Sequence, residues 1–236
     1  MNNFRVMASR VTRVTHIPSQ ASRNIYLHKG PRLSGLKKDP LEVFTTSDGH
    51  KYDNDVHQNV KYIQDFLSDK FHIGNELALQ VITHKSFANG IKPYNEKLSA
   101  MGSKILNLHL AKLVIEQPSK SSSVNELAIN NKNLDVLGQP MSRELAGRLS
   151  LGVFAKLNKL NSVMFWNSYS TQGLNFEASG EMKVSAQMVY AMIGAVHFTH
   201  GKKVAEEFIN EKIFPEVETI TRDVVEADVK QAQEAT

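Results

Sequence analysis

His197 and His200 stand three residues apart near a helix end, a spacing at which two imidazoles share a face and could hold a metal ion. No carboxylate or third histidine neighbours them, so a surface or C-capping role is the expectation, since cations favour that end of a helix. His84 is expected to fix a helix terminus rather than to move protons. Phe165 and Trp166 could stack on a base, but packing is the simpler use of two large apolar rings. Met101, Met188 and Met192 are expected as core fillers, not as a cofactor box. The chain has no cysteine, which removes disulfides, thiolate metal sites and cysteine nucleophiles. It carries no phosphate-binding glycine loop, no HExxH pair and no GxSxG elbow.

The elements that would position any site are helical. Val56, Val60, Ile63, Phe66 and Leu67 recur at spacings of three and four. A second helix begins near Asn75 and is expected to run through Thr83–Asn89 until Gly90 ends it. Residues 95–116 form the longest candidate, with Leu98, Met101, Ile105 and Leu108 on one line and Leu106, Leu110, Leu113 and Val114 on another. Residues 124–137 and 140–160 predict two more helices, the second with Leu145, Leu149, Val153, Leu157 and Leu160 as its apolar face. Residues 167–180, with Gly173 and Gly180, predict a long loop. Residues 182–198 are apolar nearly all round, as befits a helix at the centre of a domain. Two amphipathic helices follow, 202–214 and 216–234, divided by Pro215. Sustained two-residue alternation is missing, so the expected fold is all-α.

Three segments in order carry a more specific signal: THKSFAN at 83–89, NEKLSAMGS at 95–103 and AQMVYAMIGA at 186–195, the last followed by HFTHG. Together they resemble the ribonuclease III family, whose endonuclease domain is a helical bundle, and the resemblance covers roughly residues 56–216. In active members, acids on the two central helices hold Mg²⁺, which activates water against a phosphodiester. Carried across by position, those acids fall on Ser99, Ser103, Gln187 and Tyr190. Of the signature acids only Glu96 remains. Mg²⁺ is a hard, reluctantly dehydrated ion that needs anionic oxygen. Hydroxyls and an amide cannot supply it, and one carboxylate cannot organise a two-metal site. The resemblance therefore implies no catalytic residue, no metal and no cofactor. The aromatic residue by which such domains pair falls on Ala100, which argues for a heterodimer with a related chain rather than a symmetric homodimer. The family's usual C-terminal double-stranded-RNA-binding module is not expected in the short acidic stretch after residue 215.

Charge is unevenly spread. The formal net charge is +4, and residues 1–38 contain eight lysines and arginines and no acid, so the remaining residues carry 4 − 8 = −4. The opening stretch is arginine-rich and acid-free, with Phe4, Val6, Met7, Val11 and Val14 against Arg5, Arg10 and Arg13. These are traits of a mitochondrial transit peptide, cleaved somewhere in residues 23–35; a basic RNA-binding tail is the other reading. No apolar run approaches the ~18–20 residues that cross a bilayer. The expected organisation is a leader over 1–32, a linker over 33–54, a ribonuclease III-like helical domain over 55–216 and an acidic helix or tail over 217–236. The family includes mitochondrial ribosomal members that kept the fold and lost the activity. What the resemblance implies is a structural constituent of the mitochondrial large ribosomal subunit, in the matrix. It would contact mitochondrial rRNA and other large-subunit proteins, and pair with a second ribonuclease III-like ribosomal protein. The competing expectation is an active RNA-processing double-strand endoribonuclease that works with a partner chain.

Overall fold

Residues 43–47, 49–116, 129, 132, 134–168 and 175–234 are described by the computed structural model. The basic leader over 1–32, the first part of the 33–54 stretch, most of the expected helix 124–137 and the part of the 167–180 loop around Gly173 lie outside these residues.

The chain enters through a tight reversal. Thr46 N donates to His50 O at 2.9 Å, and Tyr52 N donates to Phe44 O at 3.0 Å. The reversal seats Phe44 against Tyr52 and Phe87, with ring centroids 6.3 and 6.5 Å away. Helix α1 (Tyr52–Leu67) follows and buries Val60, Ile63 and Leu67, the face its spacing predicts. Helix α2 (Asn75–Ile82) is shorter than its pattern suggests. It stops because Thr83 turns extended, and its hydroxyl donates back to Leu79 O at 2.7 Å. The freed backbone pairs with a distant strand-like residue: His84 N donates to Phe165 O and Phe165 N to Ile82 O, both at 2.9 Å. Residues expected to continue the helix instead form a 3₁₀ turn, Phe87–Gly90, with Ala88, Asn89 and Gly90 all at positive φ.

Helix α3 (Glu96–Glu116) matches its predicted span. Of its two predicted apolar lines only part is buried: Leu98, Ser99, Gly102, Leu106, His109 and Leu110 lie inside, while Leu108 is 55% exposed. Within the expected helix 124–137 the described end, Leu134–Gly138, is a 3₁₀ turn and not an α-helix. The single helix expected over 140–160 is two, α4 (Pro140–Glu144) and α5 (Arg148–Leu157), meeting at Gly147. Glu144 explains the break, since its carboxylate accepts from Ser150 N at 3.1 Å and Ser150 Oγ at 3.3 Å and so caps α5 from outside. The buried face of α5 is accordingly Ser150, Leu151, Phe154 and Ala155, and Leu157 is 61% exposed.

Helix α6 (Glu181–His200) is the centre of the bundle: apart from Gln187, every residue from Val184 to Val196 is buried. At roughly 1.5–3 kcal/mol per buried large aliphatic side chain, this one helix supplies a major share of the core. It packs on α3, α5 and α7 (Lys202–Phe208). Pro215 does not divide the last two helices. A π-turn at Ile209–Ile213 leads into α8 (Phe214–Glu234), and the chain stays helical through the proline. The wider turn removes the clash between a proline ring and the carbonyl four residues earlier. Among the described residues there are only isolated bridges and no named strand, so the fold is all-α as the patterning requires.

Candidate functional site

The two central helices touch backbone to backbone. A Cβ on Gly102 of α3 would lie 1.9 Å from Tyr190 O, and one on Gly194 of α6 would lie 2.2 Å from Leu98 O. Only glycine permits that approach. The crossing fixes the register of α3 on α6, and hence which side chains can meet beside it.

What meets there is a run of neutral polar groups. Asn95 is 1% exposed, and its Nδ2 donates to Val81 O at 2.9 Å. Its Oδ1 accepts from Gln187 Nε2 at 3.2 Å. The Gln187 side chain also hydrogen-bonds His84. On the other side of the His84 ring, Nδ1 accepts from Ser86 N at 3.2 Å and lies 2.9 Å from Ser86 Oγ. An Nδ1 that accepts leaves Nε2 as the protonated nitrogen, so His84 donates to Gln187, the glutamine donates to Asn95, and the asparagine donates to a main-chain carbonyl. Each link of the chain pairs one donor with one acceptor without any group being charged. Burial first, then the Lys85 charge and a smaller contribution from Lys183, hold the imidazole below the ordinary histidine range. Ser86 extends the network, since its Oγ accepts from Asn167 N at 3.0 Å.

The positions that the resemblance singles out do not all join this chain. Gln187 does. Tyr190 turns away: its hydroxyl donates to Ala146 O at 2.5 Å, at the junction of α4 and α5, and burial pushes its phenol up from the usual range. Ser99 is buried on α3. Ser103 is half-buried, and its Oγ donates to Ala100 O at 3.2 Å within its own helix. Glu96 lies exposed at the rim with its carboxylate 3.0 Å from Lys85 Nζ. Ala100 is exposed. Asn95 was not singled out by residue type, although it opens the NEKLSAMGS segment. Its position directly before Glu96 was the signal available.

Most of the remaining candidates pack into the bundle. Phe165 and Trp166 are buried, as are Met188 and Met192. His84 holds the end of α2 through its backbone bond to Phe165, in line with a structural role. His200 Nε2 donates to His72 O at 2.7 Å and so ties the end of α6 to the segment before α2. His197 takes no part in that contact. Among the described residues no three histidine, aspartate or glutamate side chains cluster as metal ligands would, and no helix is long and apolar enough to cross a membrane.

Comparison with known proteins follows the same lines. The chain is similar to Large ribosomal subunit protein mL57 of Neurospora crassa, 26% identical over 199 residues, which is 78% of this chain and 70% of that protein. It is also similar to Ribonuclease 3 of Corynebacterium diphtheriae, 24% identical over 58% of this chain, and of Bdellovibrio bacteriovorus, 26% identical over 58% of this chain. The matches span 50% and 53% of those two proteins, about half of their length. Among solved structures, the nuclease domain of a ribonuclease III from Campylobacter jejuni aligns with a TM-score of 0.44 at 20% identity, over 69% of this chain and 96% of that one. A Ribonuclease-III-like family model matches residues 74–217, from the residue before α2 into the first turn of α8, and the chain therefore belongs to the ribonuclease III-like family.

Proposed function

We propose that the protein is a structural constituent of the mitochondrial large ribosomal subunit, in which a ribonuclease III-like domain serves as a non-catalytic scaffold for rRNA and for a related protein. One observation carries the reading. At the four positions where the resemblance calls for acids stand Ser99, Ser103, Gln187 and Tyr190, and their polar groups are committed to neutral contacts or burial. With Glu96 alone left and paired to Lys85, such a site offers too little anionic oxygen to hold Mg²⁺ and lower the pKa of a bound water. The similarity to a large-subunit ribosomal protein supports the assignment. The acid-free basic leader over 1–32 supports delivery to the mitochondrion, with 33–54 as a linker and 217–236 as an acidic terminal helix.

Loss of the acids has a second physical consequence. A scaffold that sits permanently against RNA must neither repel phosphate nor cut it, and neutral side chains meet both demands. The replacement of a bulky aromatic knob by exposed Ala100 supports a heterodimer in the ribosome rather than a symmetric pair.

The test is co-sedimentation from mitochondrial extract. The protein should travel with the large subunit through a gradient at high salt; release into the soluble fraction would refute the assignment. The similarity to proteins named Ribonuclease 3 keeps a nuclease as the rival reading, in which carboxylates come from a partner chain.

A further inference from the structure

We propose that Lys85 and Lys183, on the rim of the His84–Gln187–Asn95 chain, hold a backbone phosphate of RNA directly, without a metal ion. The inference rests on the reading of this centre as non-catalytic, and assigns to it the ligand that the lost metal would otherwise have engaged.

Placement comes first. Lys183 lies one helical turn before Gln187 on α6, so it stands on the face of that helix from which Gln187 reaches Asn95. Lys85 directly follows His84 and is tied to Glu96 at the start of α3 by a 3.0 Å contact. Both lysines are exposed. Their charges converge on the same imidazole, whose protonation both oppose.

Charge comes second. Residues 39–236 carry a formal −4, so the folded body has no net attraction for RNA. Contact with a polyanion must then be made where cations are locally concentrated and acids are few. Of the acids, Glu96 acts on the His84 ring and is already engaged by Lys85, and Glu181, two residues before Lys183, accepts from Asn161 Nδ2 at 2.7 Å. An ammonium has three donors, so Lys85 can keep Glu96 and still bind a phosphate oxygen. Gln187 completes the logic, because an acid at that position would face the phosphate and repel it.

The experiment uses the purified full chain, a fluorescein-labelled RNA duplex and buffer containing EDTA, with anisotropy followed over a series of salt concentrations. The basic leader adds the same background to every variant. The double variant Lys85→Gln/Lys183→Gln should lower the steepness of log K against log salt by about 0.7–0.9, the loss of one neutralised phosphate. The exposed control pair Lys203→Gln/Lys230→Gln should leave it unchanged. Photo-crosslinking of the unmodified chain to 4-thiouridine-labelled RNA should mark residues 84–97 or 181–190, which decides the matter even if the double variant folds poorly. An unchanged slope in a folded double variant, an equal loss in the control pair, or crosslinks confined to the leader would overturn the proposal. Co-sedimentation with the large subunit alongside any of these results would sink the phosphate site and leave the ribosomal assignment standing. Rim crosslinks without co-sedimentation would do the reverse.

Discussion

The crossing of α3 and α6 and the polar chain beside it lie on the same two helices, yet they constrain the sequence in different ways. At the crossing the constraint is volume: Gly102 and Gly194 leave no room for a methyl group against the opposing backbone. At the polar chain the constraint is pairing: Asn95, Gln187 and His84 need complementary donors and acceptors but no charge. A fold held by the first can exchange the chemistry of the second. On the proposed non-catalytic reading, that separation lets a ribonuclease III-like bundle persist with serine, glutamine and tyrosine at the positions to which the resemblance assigns carboxylates.

The sharpest way to break the comparison is at the crossing. Gly102→Ala places a carbon 1.9 Å from a main-chain oxygen that cannot rotate away. It should cost more than about 3 kcal/mol, at the upper end of overpacking effects, and thermal unfolding followed by circular dichroism measures it. A variant that melts with the parent would show that the helices are not in backbone contact.

The polar chain should respond less. Asn95→Ala strands Val81 O and Gln187 Nε2, each worth about 1–3 kcal/mol when buried and unpaired. Because Gln187 is half-buried and can rotate toward water, the expected loss in urea unfolding is about 2 kcal/mol, smaller than for the glycine. A loss equal to that of Gly102→Ala would erase the distinction between volume and pairing.

The smallest effect is the pH response of His84. Its folded pKa is depressed, so the unfolded chain binds the proton more readily. The stability this histidine contributes is therefore complete above the unfolded value of about 6.5, and falls as pH drops from there through the folded pKa. His84→Gln should flatten the curve of melting temperature against pH below about 6.5 relative to the parent. An identical acid-side slope in both proteins would mean that the imidazole is not held neutral.

Much of this architecture was legible in the residues, and the failures have identifiable causes. Helix α6 announced itself because burial on all sides leaves an almost unbroken apolar run, and α3 because its two apolar lines run from Leu98 to Val114. Local pattern carries α2 past Ile82, whereas the structure stops it there by pairing Thr83 with Phe165, 82 residues away in sequence, which no local pattern reveals. The 140–160 stretch looked like one helix because its leucines keep period across Gly147. The actual buried face is set by Leu151 and Phe154, and the break by the reach of Glu144 to Ser150. Pro215 does not break the chain's last helices, because a π-turn just before it absorbs the proline. At the site, Gln187 could be found by position. Its partners could not, because a hydrogen bond's direction depends on a tautomer and on rotamers.

On the proposed reading this centre does no phosphodiester chemistry. Purified full-length protein incubated with duplex RNA and either Mg²⁺ or Mn²⁺ should leave the RNA intact. Divalent-dependent cutting that disappears in Glu96→Gln would contradict the claim and restore the enzyme reading.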